Sequence, residues 1–296
     1  MAKSKYNFDK QLKVAPRAVF KKGLLPLANF FIPLLPKKID KKQVVYTTFK
    51  LGKLPIHVFM PMSTKKLLPC LFYIHGGGFA YKQSFVHYKT EQAYCNLATC
   101  VVVGVDYPVL PKAKYPTAVN ALVDCYKDLV AHADKLGIDC DKMAIGGDSA
   151  GGNLALEVAI AVGKTEMPQP KGLMTVYPVV DNLQNTPSME QFTDTPLWNA
   201  VCNEKMWQWY LDGQSYVSPL QRLDGLTVEH MFVETEQYDC LHDEGVLLYN
   251  AAQKYVKDVQ LLDNVGTFHG FDVNFSADIT QKSVAARAEF LKKCFD

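Results

Sequence analysis

The sequence KMAIGGDSAGG at residues 142–152 decides the fold. Its apolar start, Lys142–Ile145, indicates a short strand, and a helical pattern follows from Ala150 to about Val162. Between them, residues 147–151 form the pattern G-x-S-x-G, which in a strand–turn–helix setting is typical of a nucleophile elbow. The glycines allow a tight turn that exposes the serine hydroxyl beside the free N–H groups of the helix N-terminus. We therefore predict that Ser149 is a nucleophile.

Strand-like segments recur along the chain on both sides of this elbow. Most are short apolar runs without polar alternation, which indicates strands buried on both faces, as in a parallel sheet. The predicted strands are Gln43–Phe49 and Leu54–Met60, which form an opening hairpin or meander, then Cys70–Ile74, Cys100–Val105, Lys142–Ile145, Leu173–Tyr177, Val228–Val233 and Val259–Leu262.

Helical periodicity fills several of the gaps between these strands. Three predicted helix faces are Ala118, Leu122, Cys125 and Leu129; Leu154, Val158 and Ala161; and Val284, Ala288, Leu291 and Phe295. The alternation predicts an α/β fold, with a mostly parallel central sheet and helices on both faces. Residues 183–216 interrupt the rhythm without a strand pattern and carry all three tryptophans, so we interpret them as an inserted cap.

A glycine-rich loop, His75–Phe79, follows the predicted strand Cys70–Ile74. Three consecutive glycines leave backbone N–H groups uncovered by side chains, and an acyl-transfer enzyme needs such donors for the oxyanion of its tetrahedral intermediate. A phosphate-binding loop is the competing interpretation. It is disfavoured because neither G-x-G-x-x-G nor G-K-[ST] follows.

A serine nucleophile needs a base, and the base needs an orienting acid. Of seven histidines, His269 lies in a loop between the last predicted strand and the last predicted helix, which favours it as the base. Asp239 follows the strand Val228–Val233 at a strand-to-helix crossing and is the favoured acid. Asp243 is the alternative, although its position suits the capping of a helix. The order Ser149, Asp239, His269 is the one expected on α/β-hydrolase sheets.

Composition and charge restrict the function. The 296 residues include 48% hydrophobic residues, and 32 basic against 30 acidic side chains leave a net charge of +2, which disfavours nucleic-acid binding. The eight cysteines show no C-x-x-C and no zinc-like spacing with histidine. We therefore expect no metal, no cofactor, and reduced thiols in the cytoplasm.

The first 42 residues are basic and contain an apolar run, Leu24–Leu35, that Pro26 and Pro33 interrupt. The run is too short to span a bilayer, and its prolines break a helix. The favoured interpretation is an arm that packs on the body and keeps its lysines in water. A signal peptide and a membrane-surface helix are the lesser alternatives.

Together these motifs resemble the hormone-sensitive lipase family of α/β-hydrolases, also called the bacterial family IV esterases. The likeness runs from about residue 70 to the end of the chain. The family's H-G-G-G-F, G-D-S-A-G-G, D-P-L-x-D-E-G and H-G-F segments are matched at His75–Phe79, Gly147–Gly152, Asp239–Gly245 and His269–Phe271. Two departures are visible: Asp106–Lys112 lacks the Arg and Glu of the family's D-Y-R-L-A-P-E, and Cys240 replaces a proline.

The resemblance implies an α/β-hydrolase fold with Ser149, Asp239 and His269 as the catalytic triad. It also implies an oxyanion hole formed by the N–H groups of Gly77, Gly78 and Ala150. Residues 1–42 and 183–216 would form a helical cap, and residues 43–182 and 217–296 the catalytic domain.

The expected activity is that of a serine carboxylesterase, acting on short- to medium-chain esters through an acyl-serine intermediate. Its expected partner is a small-molecule ester; nucleic-acid and membrane contacts are not expected, and a homodimer is left open. An amidase, deacetylase or acyltransferase on the same triad is the main alternative. A non-catalytic binding protein and a membrane-associated hydrolase are two more. The tryptophans and the Phe30–Phe31 pair are candidates for the pocket lining.

Overall fold

The fold was obtained as a computed structural model that describes residues 5–14, 16, 20–62 and 67–296. In this part of the chain an eight-stranded sheet runs in the order β1-β2-β4-β3-β5-β6-β7-β8. The strands are β1 Val44–Leu51, β2 Leu54–Pro61, β3 Leu68–Ile74, β4 Val101–Val105, β5 Ile138–Asp148, β6 Gly172–Val176, β7 His230–Tyr238 and β8 Asp258–Phe268. Each of the eight predicted strands is confirmed, and β5, β7 and β8 extend well beyond their predicted bounds.

The sheet is parallel from β4 to β8, because every neighbouring pair in that part runs in the same direction. The first two strands form the predicted hairpin, and β2 pairs antiparallel with β4. The carboxyl ends of the central parallel strands therefore meet at one edge of the sheet, which is where ligand sites form in open α/β folds.

The helices are α1 Leu25–Phe31, α2 Phe85–Ala98, α3 Thr117–Ala131, α4 Ala150–Gly163, α5 Pro187–Gln191, α6 Ala200–Leu211, α7 His242–Ala252 and α8 Asp278–Phe295. The three helices predicted from apolar spacing are confirmed as α3, α4 and α8. None of them spans a membrane: in the described ranges no helix is long and apolar enough to do so.

The two faces of the sheet bury separate cores. Side chains alternate along β3, so that Phe72 packs with residues of α3 and α4, whereas Tyr73 packs with residues of α2 and α8. The predicted parallel sheet covered on both faces is therefore confirmed.

Residues 183–216 contain α5 and α6 and no strand, as expected of an inserted cap. The N-terminal arm touches this segment, because the ring of Phe20 stacks on Trp209 at 4.7 Å and meets Trp198 edge-on at 5.1 Å. These contacts agree with a cap that both segments share, although the division of the chain into cap and catalytic domain stays a prediction.

Candidate active site

The predicted elbow is present in the structure. β5 ends at Asp148 and α4 begins at Ala150, so Ser149 alone forms the turn, with φ 55° and ψ −122°. Such a conformation is strained for a residue with a side chain and persists only where its surroundings hold it. The Ser149 N–H donates to the Val176 carbonyl (2.8 Å), and the Ser149 carbonyl accepts from the Val179 N–H (3.0 Å). A Cβ at Gly151 would lie 2.0 Å from the Ile74 carbonyl oxygen, so the turn requires glycine there.

The structure brings the three predicted triad residues together. Ser149 Oγ lies 2.8 Å from His269 Nε2, and His269 Nδ1 lies 2.7 Å from Asp239 Oδ2. All three are buried, and the other Asp239 oxygen accepts the Leu241 N–H at 3.0 Å. A carboxylate accepts hydrogen bonds only, so the imidazole proton is on Nδ1 and Nε2 is free to accept the serine proton.

The alternative acid, Asp243, is held elsewhere. Its carboxylate accepts the Ser188 N–H at 2.8 Å and lies 2.7 Å from His242 Nδ1. Its neighbour Glu244 accepts the N–H groups of Val180 and Asp181. Both residues lie in the first turn of α7, as expected. Glu244 binds the chain just before the cap segment and Asp243 binds the cap segment itself, and neither orients His269.

The glycine loop presents its backbone towards the same place. Gly77 has φ +116° and Gly78 φ +61°, and both residues line a cavity together with Ser149 and His269. Within the described ranges, no protein group accepts the N–H of Gly77, Gly78 or Ala150. The Gly77 carbonyl accepts the N–H groups of Ala80 and Tyr81, which fixes the loop's shape. The predicted oxyanion donors are thus unpaired and lie beside the serine.

His75, the first residue of this loop, is held in place by Tyr107. Its ring stacks on Tyr107 at 4.4 Å, and its own carbonyl accepts the Tyr107 hydroxyl at 2.9 Å. Burial, followed by the proximity of His87, lowers the pKa of His75 to about 4. His75 is therefore neutral near pH 7 and acts as packing rather than as a base.

The cavity measures about 300 Å³. Its lining includes the apolar side chains of Val86, Leu197, Trp198 and Val273. Among the aromatic residues expected to line it, only Trp198 does so. Trp207 packs on Phe79 and Tyr216, Trp209 stacks on Phe20, and the rings of Phe30 and Phe31 are exposed.

The motif analysis missed a buried polar group that joins the elbow to the glycine loop. Asp148 Oδ1 accepts the Tyr73 hydroxyl (2.8 Å) and the Gly76 N–H (3.0 Å), and Oδ2 lies 3.5 Å from His87 Nε2. Burial raises the pKa of Asp148, but His87 and the Tyr73 hydroxyl outweigh it and lower that pKa to about 2. Asp148 is therefore an anion that holds both loops, and its place inside G-D-S-A-G was the available signal.

A second polar connection, also missed, supports His269. The Tyr177 ring meets the imidazole edge-on at 4.8 Å, and the Tyr177 hydroxyl donates to both Asp272 oxygens at 2.9 and 3.0 Å. Asp272 lies three residues after His269, so this contact fixes the loop that carries the histidine.

One cysteine, Cys240, lies against the side chain of Asp239. None of the eight cysteines, which all lie in the described ranges, forms a disulfide, and Cys240 is fully buried with a pKa raised first of all by that burial. In the residues that the structure describes, no group of three or more His, Cys, Asp or Glu side chains is arranged to hold a metal ion.

The parallel sheet and the Ser–His–Asp arrangement are typical of α/β-hydrolases, and comparison with known proteins identifies the family. A family model described as the alpha/beta hydrolase fold matches residues 71–273, more than half of the chain. The chain therefore belongs to the α/β-hydrolase fold family, which agrees with the resemblance drawn from its motifs.

Relatives of this chain include esterases. The structure of esterase LipW from Mycobacterium marinum superposes with a TM-score of 0.89 at 24% identity, covering 98% of this chain and 96% of that one. Carboxylesterase NlhH from Mycobacterium tuberculosis is 27% identical over 86% of this chain and 83% of its own. A putative alpha/beta hydrolase of Acanthamoeba polyphaga mimivirus is 25% identical over 72% of this chain, which spans just under two thirds (64%) of that protein.

Proposed function

We propose that this protein is a serine carboxylesterase, in which Ser149 is the nucleophile, His269 the general base and Asp239 the orienting acid. The observation that carries the proposal is the continuous hydrogen-bonded chain from Ser149 Oγ through His269 to Asp239, at 2.8 and 2.7 Å, beside unpaired backbone donors. The relatives named carboxylesterase and esterase add independent support for ester hydrolysis.

Acylation follows from this geometry. As the serine oxygen attacks the ester carbonyl, its proton moves to His269 Nε2, and Asp239 stabilises the imidazolium that results. The carbonyl oxygen becomes an oxyanion that the N–H groups of Gly77, Gly78 and Ala150 bind. The C–O bond to the alcohol then breaks, the alcohol leaves with the proton from His269, and the acyl group remains on Ser149.

Deacylation repeats the steps with water. His269 removes a proton from a water molecule as its oxygen attacks the acyl-serine, and the same backbone donors bind the second oxyanion. The acid leaves, and the proton returns from His269 to Ser149.

The substrate class follows from the cavity. A volume of about 300 Å³ accommodates a small ester, and the apolar side chains of Val86, Leu197 and Trp198 favour a hydrocarbon acyl or alcohol group. We therefore include short- to medium-chain esters in the proposal. A cytosolic location is also included, because eight cysteines without a disulfide suit a reducing compartment.

The deciding experiment measures hydrolysis of p-nitrophenyl esters with two to sixteen acyl carbons by the wild type, Ser149→Ala and Ser188→Ala. Ser188 is a matched control, because it is also a buried serine but donates its hydroxyl to the Cys240 carbonyl. We expect a maximum at short chains, and a loss of at least about a thousandfold in kcat for Ser149→Ala alone. A Ser149→Ala protein with wild-type kcat would overturn the assignment.

The same samples separate the alternative reactions. If Ser149 reacts with a fluorophosphonate but the protein hydrolyses none of the esters, the triad assignment stands and the carboxylesterase proposal is wrong. Assays with p-nitroacetanilide, with an acetylated sugar and with an added alcohol acceptor then distinguish an amidase, a deacetylase and an acyltransferase.

A further inference from the structure

The apolar run of the N-terminal arm faces solvent. Six of its side chains are between 49% and 68% exposed, and the rings of Phe30 and Phe31 lie 5.2 Å apart. We call this group the arm patch; its members are Leu24, Leu27, Phe30, Phe31, Leu34 and Leu35. Large apolar side chains that are exposed side by side usually mark an interaction surface.

The fold keeps the arm patch exposed, because the opposite side of the arm is bound to the body of the protein. Leu25 is fully buried in the core. The Asn29 side chain donates to the Ala80 carbonyl (2.8 Å) and accepts the Lys82 N–H (3.0 Å). Ala80 and Lys82 flank Tyr81, which lines the catalytic cavity. The arm patch is therefore fixed to the segment that follows the glycine loop.

Charge is distributed unequally between this arm and the rest of the chain. Residues 1–42 hold 11 of the 32 basic side chains but only two of the 30 acidic ones, Asp9 and Asp40. The arm thus carries a formal charge of +9 and the remainder −7. The exposed lysines nearest the patch in sequence lie on both sides of it and are Lys21, Lys22, Lys38, Lys41 and Lys42. Lys37 also lies there, but its Nζ donates to the Tyr46 hydroxyl at 2.8 Å.

We propose that the arm patch docks on the surface of an anionic phospholipid bilayer. Its leucine and phenylalanine side chains enter the boundary between headgroups and acyl chains, and the exposed flanking lysines bind the lipid phosphates and carboxylates. The sequence favoured an arm packed on the body. The structure shows that packing, but it turns Leu25 and Asn29 inwards and leaves the patch outside.

A second copy of the chain suits this surface less well. A symmetric dimer would place the patch of one protomer against the same patch of the other, together with two strongly basic segments. Like charges held together at an interface oppose association. A bilayer that contains phosphatidylserine carries the opposite charge to the lysines, and its acyl chains can bury the whole arm patch.

Docking does not rest on the proposed ester hydrolysis, because it is measured without substrate. It would nevertheless place the cavity near a lipid surface, where esters with acyl chains accumulate. The test and the activity assay can therefore fail separately.

The experiment is flotation with vesicles of phosphatidylcholine and phosphatidylserine (7:3) or of phosphatidylcholine alone, at low and at high salt. We expect the wild type to bind only the anionic vesicles and to be released by salt. Two variants should each weaken partitioning into the anionic vesicles at least about tenfold. One is the apolar variant Phe30→Ser/Leu34→Ser, and the other is the charge variant Lys21→Gln/Lys22→Gln/Lys41→Gln/Lys42→Gln. Unchanged thermal midpoints verify that these variants fold.

The matched control is Leu183→Ser/Val265→Ser, which removes two apolar side chains of comparable exposure (62% and 70%) outside the arm. It should bind like the wild type. Failure of the wild type to bind anionic vesicles, or binding that the arm variants leave unchanged, overturns the proposal. The proposal is also overturned if the wild type binds no vesicles but sediments as a dimer that Phe30→Ser/Leu34→Ser dissociates. The patch would then be an interface with a second copy of the chain.

Discussion

Arg287 Nη1 lies 3.0 Å from Asp272 Oδ2, although the arginine is 1% exposed. The same guanidinium binds Glu234 through two hydrogen bonds, one of them 2.7 Å from Nε to Oε2. Asp272 is three residues beyond His269, and Glu234 is five residues before Asp239. One buried cation on α8 therefore connects the loop that carries His269 with the strand that Asp239 follows.

We predict that Arg287→Lys lowers kcat about tenfold while KM changes less than about threefold. Lysine keeps the charge but cannot bind Glu234 and Asp272 with a planar fork, so the His269 loop shifts relative to Ser149. The measurement is p-nitrophenyl acetate hydrolysis, with urea unfolding alongside it. A less stable protein with unchanged kcat would show that Arg287 serves the fold alone.

The two candidate acids can be distinguished by parallel amide substitutions. Asp239→Asn should lower kcat by about 10⁴, because the amide favours the wrong imidazole tautomer and cannot stabilise the imidazolium. Asp243→Asn, which disturbs only the contacts with Ser188 and His242, should stay within about threefold of the wild type. A reversal of these two results would move the acid to Asp243.

Gly77→Ala tests the oxyanion loop. A Cβ there would lie 2.9 Å from the Tyr81 carbonyl oxygen, and φ +116° disfavours any side chain. The loop must therefore shift its N–H groups, and kcat should fall by about 10²–10³. Gly213→Ala is the control, since φ is also positive (+83°) but no atom lies within 4 Å of the new Cβ. Equal kcat losses in both variants would point to general strain.

Trp198 should set the acyl-chain preference, since its ring borders the cavity. Trp198→Leu enlarges that space, so the ratio of kcat/KM for octanoate to that for acetate should rise about tenfold. Trp209→Leu should leave the ratio unchanged, because Trp209 stacks on Phe20 and does not line the cavity. If both variants move the ratio equally, the cap as a whole rather than Trp198 governs chain length.

Glu236 should make the protein less stable as pH rises. Burial, and then the nearby charge of Glu234, raises the pKa of Glu236 well above its usual value. Its carboxyl meets Thr267 and Asn264, whereas Arg287 is occupied by Glu234. Above the unfolded pKa of about 4.3 the folded state binds more protons than the unfolded state, so stability falls until the folded pKa is passed.

Glu236→Gln removes this titration and keeps the neutral shape. Its free energy of unfolding relative to the wild type should therefore increase from pH 5 to pH 9, measured by urea denaturation. The exposed Glu166→Gln should show no such trend. A difference that is flat with pH would mean that Glu236 is ionised in the fold.

The fold and the meeting of Ser149, Asp239 and His269 could be predicted because their signals are local. Apolar runs mark the parallel strands, and Ser149, Asp239 and His269 each follow a strand within a short motif. Helix α2 could not be predicted in this way, because it buries Thr90 and Glu91 along with apolar residues and so lacks a clear apolar stripe.

Contacts between distant segments left no such signal. Arg287 meets Glu234 across 53 residues, and His87 meets Asp148 across the site, so neither partner identifies the other in the sequence. The orientation of the arm was also hidden. An apolar run predicts burial, but the hydrogen bonds of Asn29 with Ala80 and Lys82 decide which side of the arm faces the protein.

The order of the sheet also decides when the residues of the site come together during translation. The glycine loop and Ser149 follow β3 and β5 in the middle of the sheet, whereas His269 follows the edge strand β8, and Arg287 comes later still on α8. A ribosome therefore delivers Ser149 long before His269. Until β8 pairs with β7 and α8 docks, the hydrogen bond between Ser149 Oγ and His269 Nε2 cannot form. In the proposed mechanism, the nascent chain therefore has no complete esterase site until its last strand has joined the sheet.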